Sequence, residues 1–229
     1  VRITYAGGTG NGSFDARNPA VAFNSTYNQY LVVWEADQAV HALVDNEFEI
    51  WGQVLDANLF PFFGDAFRIS SMGPDGNADF DALRPAVAYN PSRDEYLVVW
   101  DGDDDAGSLV DEEREIWAQR VYSTGTLIGG NLRMSDMGGS GDAAFDGISP
   151  DVVYNAREFE YLIVWQGDDN TAPLVDEEWE VFGQLIDEDG AGVGPNDYRL
   201  SDMGGLGDAT FDAVAPAVAY NRIANEYLV

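Results

Sequence analysis

The chain has 229 residues, 45% of them hydrophobic and 13% aromatic, which is enough apolar material for a packed core. Its 41 acidic residues stand against 11 basic ones, all Arg, for a formal charge of −30; this excludes nucleic acid and anionic membranes as natural partners and favours cations. There is no Cys, so disulfides and thiol chemistry are excluded, and no apolar run approaches the length of a membrane span.

Taken in order, the first segment, Val1 to Tyr5, reads as a lone strand. Its Arg2 returns as Arg68, Arg133 and Arg199. A strand of small residues follows at Pro19-Ala-Val-Ala-Phe-Asn and recurs from Pro85, Pro150 and Pro216, every 65 or 66 residues. Self-similarity at a fixed period marks a repeat architecture. The repeats are 2–67, 68–132, 133–198 and a partial 199–229.

Within the second repeat, four short runs of β-formers are predicted: Pro85 to Asn90, Glu95 to Trp100, Glu115 to Tyr122, and one around Leu132 to Ser135. No segment keeps a helical period. Four strands per repeat define the blade of a β-propeller, so the expected fold is all-β, with three full repeats and a partial fourth. The small residues of the first strand suit the crowded position next to the axis. The first segment could join the last two strands in a four-bladed ring lacking one strand; otherwise the chain is a fragment of a longer propeller, the preferred expectation, or it assembles with copies of itself through open strand edges.

The acidic residues concentrate in two connections that an up-and-down blade places on one face. The loop after the second strand carries Asp101, Asp103, Asp105, Asp111 and Glu112 in repeat two. Repeat three has Asp168, Asn170, Asp176 and Glu177 there, and repeat one Asp37 and Asp45. Asp101, Asp103, Asp105 and Glu112 fall at the first, third, fifth and twelfth positions of an EF-hand-like pattern, although Ala106 replaces its glycine and the flanks read as strands. The loop before the first strand carries Asp136, Asp142 and Asp146, repeated as Asp202, Asp208 and Asp212. Its Phe145 is expected to anchor the loop. Both sets are candidate ligands for Ca2+, a hard cation that takes six to eight oxygens; turn-capping is the competing role for the Asp before each first strand. Trp34, Trp100 and Trp165 are expected in blade packing. The single His41 sits in the most divergent loop.

These repeats resemble those of secreted bacterial β-propeller proteins with acidic, calcium-type loops. The resemblance covers nearly the whole chain and implies an extracellular or cell-surface location. The leading expectation is a non-enzymatic calcium-binding module for adhesion, ligand binding or assembly, with a polysaccharide or cell-surface protein as partner. The alternatives are a carboxylate-dependent glycoside hydrolase or lyase, or a carbohydrate-binding propeller, and an acidic structural repeat with no specific metal. Against an enzyme stands the near-identical recurrence of the carboxylates, since an active site is a unique constellation.

Overall fold

Side chains alternate across a strand, so a strand with apolar residues at both parities must be covered on both faces. In the run Glu115–Tyr122, Ile116 and Ala118 point one way, Trp117 and Val121 the other, and all four are buried. The computed structural model, which describes residues 2–4, 6–8, 11–38, 42–62 and 64–229, satisfies this by standing the repeats side by side as upright sheets. The strands are β1 (Ala16–Asn24), β2 (Gln29–Ala36), β3 (Glu49–Leu55) and β4 (Phe67–Arg68); then β5 (Ala82–Asn90), β6 (Glu95–Gly102), β7 (Glu115–Tyr122) and β8 (Leu127–Arg133). The third set is β9 (Gly147–Asn155), β10 (Glu160–Gly167), β11 (Glu180–Asp187) and β12 (Gly192–Arg199), followed by β13 (Ala219–Asn221) and β14 (Glu226–Leu228).

Each set of four forms one antiparallel sheet in sequence order, and β13 pairs with β14. Among the described residues there is no helix, and so none long and apolar enough to cross a membrane. The fold is β-propeller-like, as the repeats predict. The described residues of the first segment, 2–4, form no strand; Val1, Tyr5 and His41 lie outside the described residues.

The apolar core lies between blades. One cluster joins Leu31, Val33 and Ile50 of the first blade to Tyr96, Val98, Trp100 and Trp117 of the second. Another joins Leu97, Val99 and Ile116 of the second to Ile163, Trp165 and Phe182 of the third. Trp34, Trp100 and Trp165 are all buried in these clusters or in that of the first blade. Burial of this kind stabilises each joint by about 25 cal/mol per Å2 of apolar surface removed from water.

The first strands β1, β5 and β9 touch one another in order and form the inner layer. Each is interrupted at the residue before its proline. Asn18, Arg84, Ser149 and, ahead of β13, Ala215 have φ of 50°, 50°, 56° and 51°. The ladder slips there, between Arg17 and Ala20 in β1 and between Leu83 and Ala86 in β5. A bulge re-aims the backbone, and this one turns the same position of every repeat toward the axis.

Candidate functional site

The recurring acids have a recurring task. Asp103 is buried, and its Oδ1 accepts the Asp81 amide at 2.9 Å while Oδ2 accepts that of Glu112 at 3.2 Å. Asp37 does the same for Asp15 and Asn46, and Asp168 for Asp146 and Glu177. Asn46, Glu112 and Glu177, whose amides are held, have left-handed φ of 66°, 66° and 65°. Asp146 accepts the Arg114 amide at 3.0 Å. Each buried carboxylate thus pins loop backbone whose N–H groups would otherwise lack partners.

The remaining sequence candidates lie apart. Asp45, Asp105, Asp111, Asp176, Asp212 and Asn170 are exposed. Asn170 Nδ2 donates to the Gly138 carbonyl at 2.5 Å. Asp136 pairs with Arg133 at 2.8 Å, and Asp202 with Arg199 at 4.0 Å. Asp142 and Asp208 accept amides two residues on, those of Ala144 and Thr210. The EF-hand-like set is separated: Asp101 turns to the axis, Asp103 clamps the loop, and Asp105 and Glu112 face solvent. Among the described residues no group of three or more acidic or histidine side chains could hold a metal ion.

Two further series complete the clamp. Glu113 accepts the Gly141 amide at 2.8 Å and the Val110 amide at 3.0 Å, matched by Glu47 and Glu178. Glu115 accepts the hydroxyl of Ser135 and the Met137 amide, as Glu49 does with Ser70 and Met72. Their signal in the sequence was strict spacing: both series recur every 65 or 66 residues. The expected Phe anchor is also present, with Phe145 packed so closely that a Cβ on Gly138 would lie 2.5 Å from it.

If repetition marks structure, departure from it marks a site. At the bulge the four repeats carry Asn18, Arg84, Ser149 and Ala215. The residues after the three tryptophans are Glu35, Asp101 and Gln166, and Asp151 stands where the other repeats have Ala20, Ala86 and Ala217. These positions gather at the end of the inner strands that the acidic loops enter, around an opening of about 430 Å3 lined by Asn18, Arg84, Ser149, Asp151 and Ala215. Each post-tryptophan side chain accepts the bulge amide of the next blade: Glu35 from Arg84 at 2.6 Å, Asp101 from Ser149 at 3.0 Å, Gln166 from Ala215 at 2.7 Å.

Arg84 lies across this floor. Its Nε and Nη2 reach the two oxygens of Asp101 at 2.8 and 2.5 Å, with Arg114 3.6 Å from the same carboxylate. Arg17 pairs with Glu35 at 2.6 Å and covers the Phe48 ring at 4.1 Å. Burial pushes Asp81, beside this group, up to about 6; Asp103 adds to the shift, and Arg114 and Arg17 oppose it. Asp101 and Glu35 are buried under their arginines, whereas Asp151 is half-buried and lines the opening.

No protein-family model matches the chain, and no curated protein sequence does. Solved structures match in fold. An N-acetylgalactosamine deacetylase from F. plautii, in complex with blood group B trisaccharide, has a TM-score of 0.56 and 13% identity over 96% of this chain and 62% of its own. A thermostable family-43 glycoside hydrolase has a TM-score of 0.48 and 17% identity over 86% and 62%. A family-117 glycoside hydrolase from Zobellia galactanivorans has a TM-score of 0.49 and 12% identity over 88% and 63%. The chain therefore spans a little over three fifths of these proteins. At this identity the likeness to the first of these, with a TM-score above 0.5, establishes the fold alone. The leading expectation of a non-enzymatic calcium module is corrected: the fold is shared with a deacetylase, and among the described residues no group of acids could hold a metal ion.

Proposed function

We propose that this protein is a carbohydrate-active propeller that takes a glycan at the axial opening, with carboxylate-dependent cleavage of a glycosidic bond as its reaction class. The observation that carries this is the break in repetition at the axis. Arg84, Asn18, Ser149 and Asp151 supply donors and acceptors suited to sugar hydroxyls, around a shallow, open recess. Asp151 is the carboxylate that lines the opening, its two oxygens accepting the Val152 and Val218 amides at 2.9 and 2.8 Å. Asp101 orients Arg84 and acts as a positioning residue. Cleavage by two carboxylates requires a second one at the sugar, and Glu35 is the candidate, reached by displacing Arg17. The burial of Glu35 and Asp101 favours a second reading, glycan binding without turnover.

The test is a panel of neutral and acidic polysaccharides scored for both binding and release of reducing ends, with Arg84→Ala and Asp151→Asn. Turnover lost in Asp151→Asn with binding retained supports the hydrolase. Binding without turnover, weakened by Arg84→Ala, supports the second reading. Absence of both across the panel refutes the carbohydrate assignment.

A further inference from the structure

Three of the eleven arginines stand at unrepeated positions on the acidic-loop end of the axis. Where the first blade has Arg17, the later repeats have Leu83, Ile148 and Val214. Where the second blade has Arg114, its neighbours have Phe48 and Trp179. Arg84 is the third. In a chain of formal charge −30, the repeat itself gives no reason to gather cations at this point. Two carboxylates join the three. Glu35 accepts Arg17 Nε on one oxygen and the Arg84 amide on the other, at 2.6 Å each. Asp101 accepts Arg84 Nε and Nη2, with Arg114 Nη1 3.6 Å away.

The acids of this group are all engaged by the protein itself. Besides Arg84, Asp101 accepts the Ser149 amide. Asp81 accepts the amide of Phe48, Asp146 that of Arg114, and Asp151 those of Val152 and Val218. The surplus lies on the donor side. Among the described residues, Arg17 Nη1 and Nη2 and Arg84 Nη1 meet no acceptor, and Arg114 Nη1 is buried without a hydrogen bond. The Arg17 side chain is 52% exposed, and its guanidinium lies 4.1 Å over the Phe48 ring. A guanidinium offers its N–H groups as a planar fork that matches the two oxygens of a carboxylate. What the site lacks is therefore an acceptor with negative charge.

We propose that the glycan taken at the axial opening is acidic, with the carboxylate of a uronic acid received by Arg17. The proposal rests on the carbohydrate reading and deepens it by naming the substituent that is recognised. Arg17 adjoins Asn18, and Asn18 and Arg84 line the opening, so a sugar seated there carries its carboxylate toward the exposed fork. Breaking a buried charge pair is costly when a partner is left alone. Here Arg17 turns from one carboxylate to another, while Glu35 keeps the Arg84 amide and the field of the Arg84 guanidinium. That movement lifts Arg17 from Glu35. The substrate's own acid group thereby uncovers the second carboxylate that cleavage requires. A neutral sugar brings no counter-charge to Arg17 and leaves Glu35 covered.

The experiment is calorimetric titration of the whole protein, at matched ionic strength, with oligomers of galacturonic, glucuronic and mannuronic acid. Their carboxyl-reduced neutral forms and sulfated galactan oligomers are titrated beside them. At least one uronate is expected to bind about tenfold or more tightly than its reduced form, and the preference should shrink as salt rises. Arg17→Leu, which installs the side chain found at the equivalent Leu83, should abolish the preference. Because it leaves Glu35 without its arginine, Arg17→Leu/Glu35→Gln is tested as well, since Gln166 fills the Glu35 position in the third blade. The double variant should show the same loss with a thermal midpoint close to wild type. Arg93→Gln, at the opposite end of the blades, should keep the preference. Uronates bound no better than their reduced forms overturn the proposal and leave the carbohydrate reading in place; no binding by any oligomer overturns both. A preference that survives both Arg17 variants, or one for sulfate over uronate, also overturns it.

Discussion

Asp103→Ala tests the role assigned to the acidic loops. The side chain is 1% exposed and holds two backbone amides from segments on either side of the loop. Each amide left without a partner costs about 1–3 kcal/mol. The Glu112 amide lies nearer to solvent than that of Asp81, and removing a buried charge returns part of the loss. The expected destabilisation is therefore about 2–4 kcal/mol. Asn in place of Ala keeps one good acceptor and should lose roughly half as much. Urea denaturation, run in chelator and again with calcium, measures this directly. A loss below about 0.5 kcal/mol in both media refutes the clamp. A loss seen only with calcium present also refutes it, since the carboxylate would then act through a metal.

Other outcomes follow from the same geometry. Gly138→Ala places a Cβ 2.5 Å from Phe145 at a φ of +66° and should destabilise by about 2–5 kcal/mol; an unchanged denaturation midpoint counts against the Phe anchor. Glu112→Gly removes a β-carbon from a residue with φ 66° and should stabilise by about 1 kcal/mol, read in the same assay. The buried Glu115 is raised from 4.5 to about 8, chiefly by desolvation, and Glu49 to about 7. The unfolded chain releases these protons first, so the stability these two groups contribute is greatest below about 4.5 and is lost as pH rises to about 8. Glu115→Gln should flatten that slope in thermal melts taken across the range; a slope unchanged by the substitution refutes the assignment.

The fold was legible because repetition multiplies weak signals. One Pro-Ala-Val-Ala-Tyr-Asn says little, but four variants of it, 65 or 66 residues apart, place the inner strand of every blade. Strand β7 matched its predicted ends, whereas the fourth strand of repeat two begins earlier than expected, at Leu127, because Gly129 and Gly130 are tolerated on an outer edge. The chemistry of the loops was less legible. Asp101, Asp103 and Asp105 follow one another at alternate positions, and composition cannot tell a carboxylate that faces a neighbouring amide from one that faces a cation. What separates them is the direction of each side chain, which depends on the bulge beside Arg84 and on the next blade. The axial site showed the opposite signal. Glu35, Asp101 and Gln166 were informative because they differ, and a reading tuned to recurrence passes over them.

The carboxylate clamps have a consequence for how such a chain can grow. The connection at residues 71–81 is tied by Glu47 and Glu49 from the blade before it and by Asp103 and Asp104 from the blade after it. Every 65-residue unit thus carries both the receiving half of one seam and the donating half of the next. A tandem duplication or deletion of one unit therefore leaves both halves of a seam on the chain, and the unrepeated residues at the axis can diversify while the shared Asp and Glu clamps stay fixed.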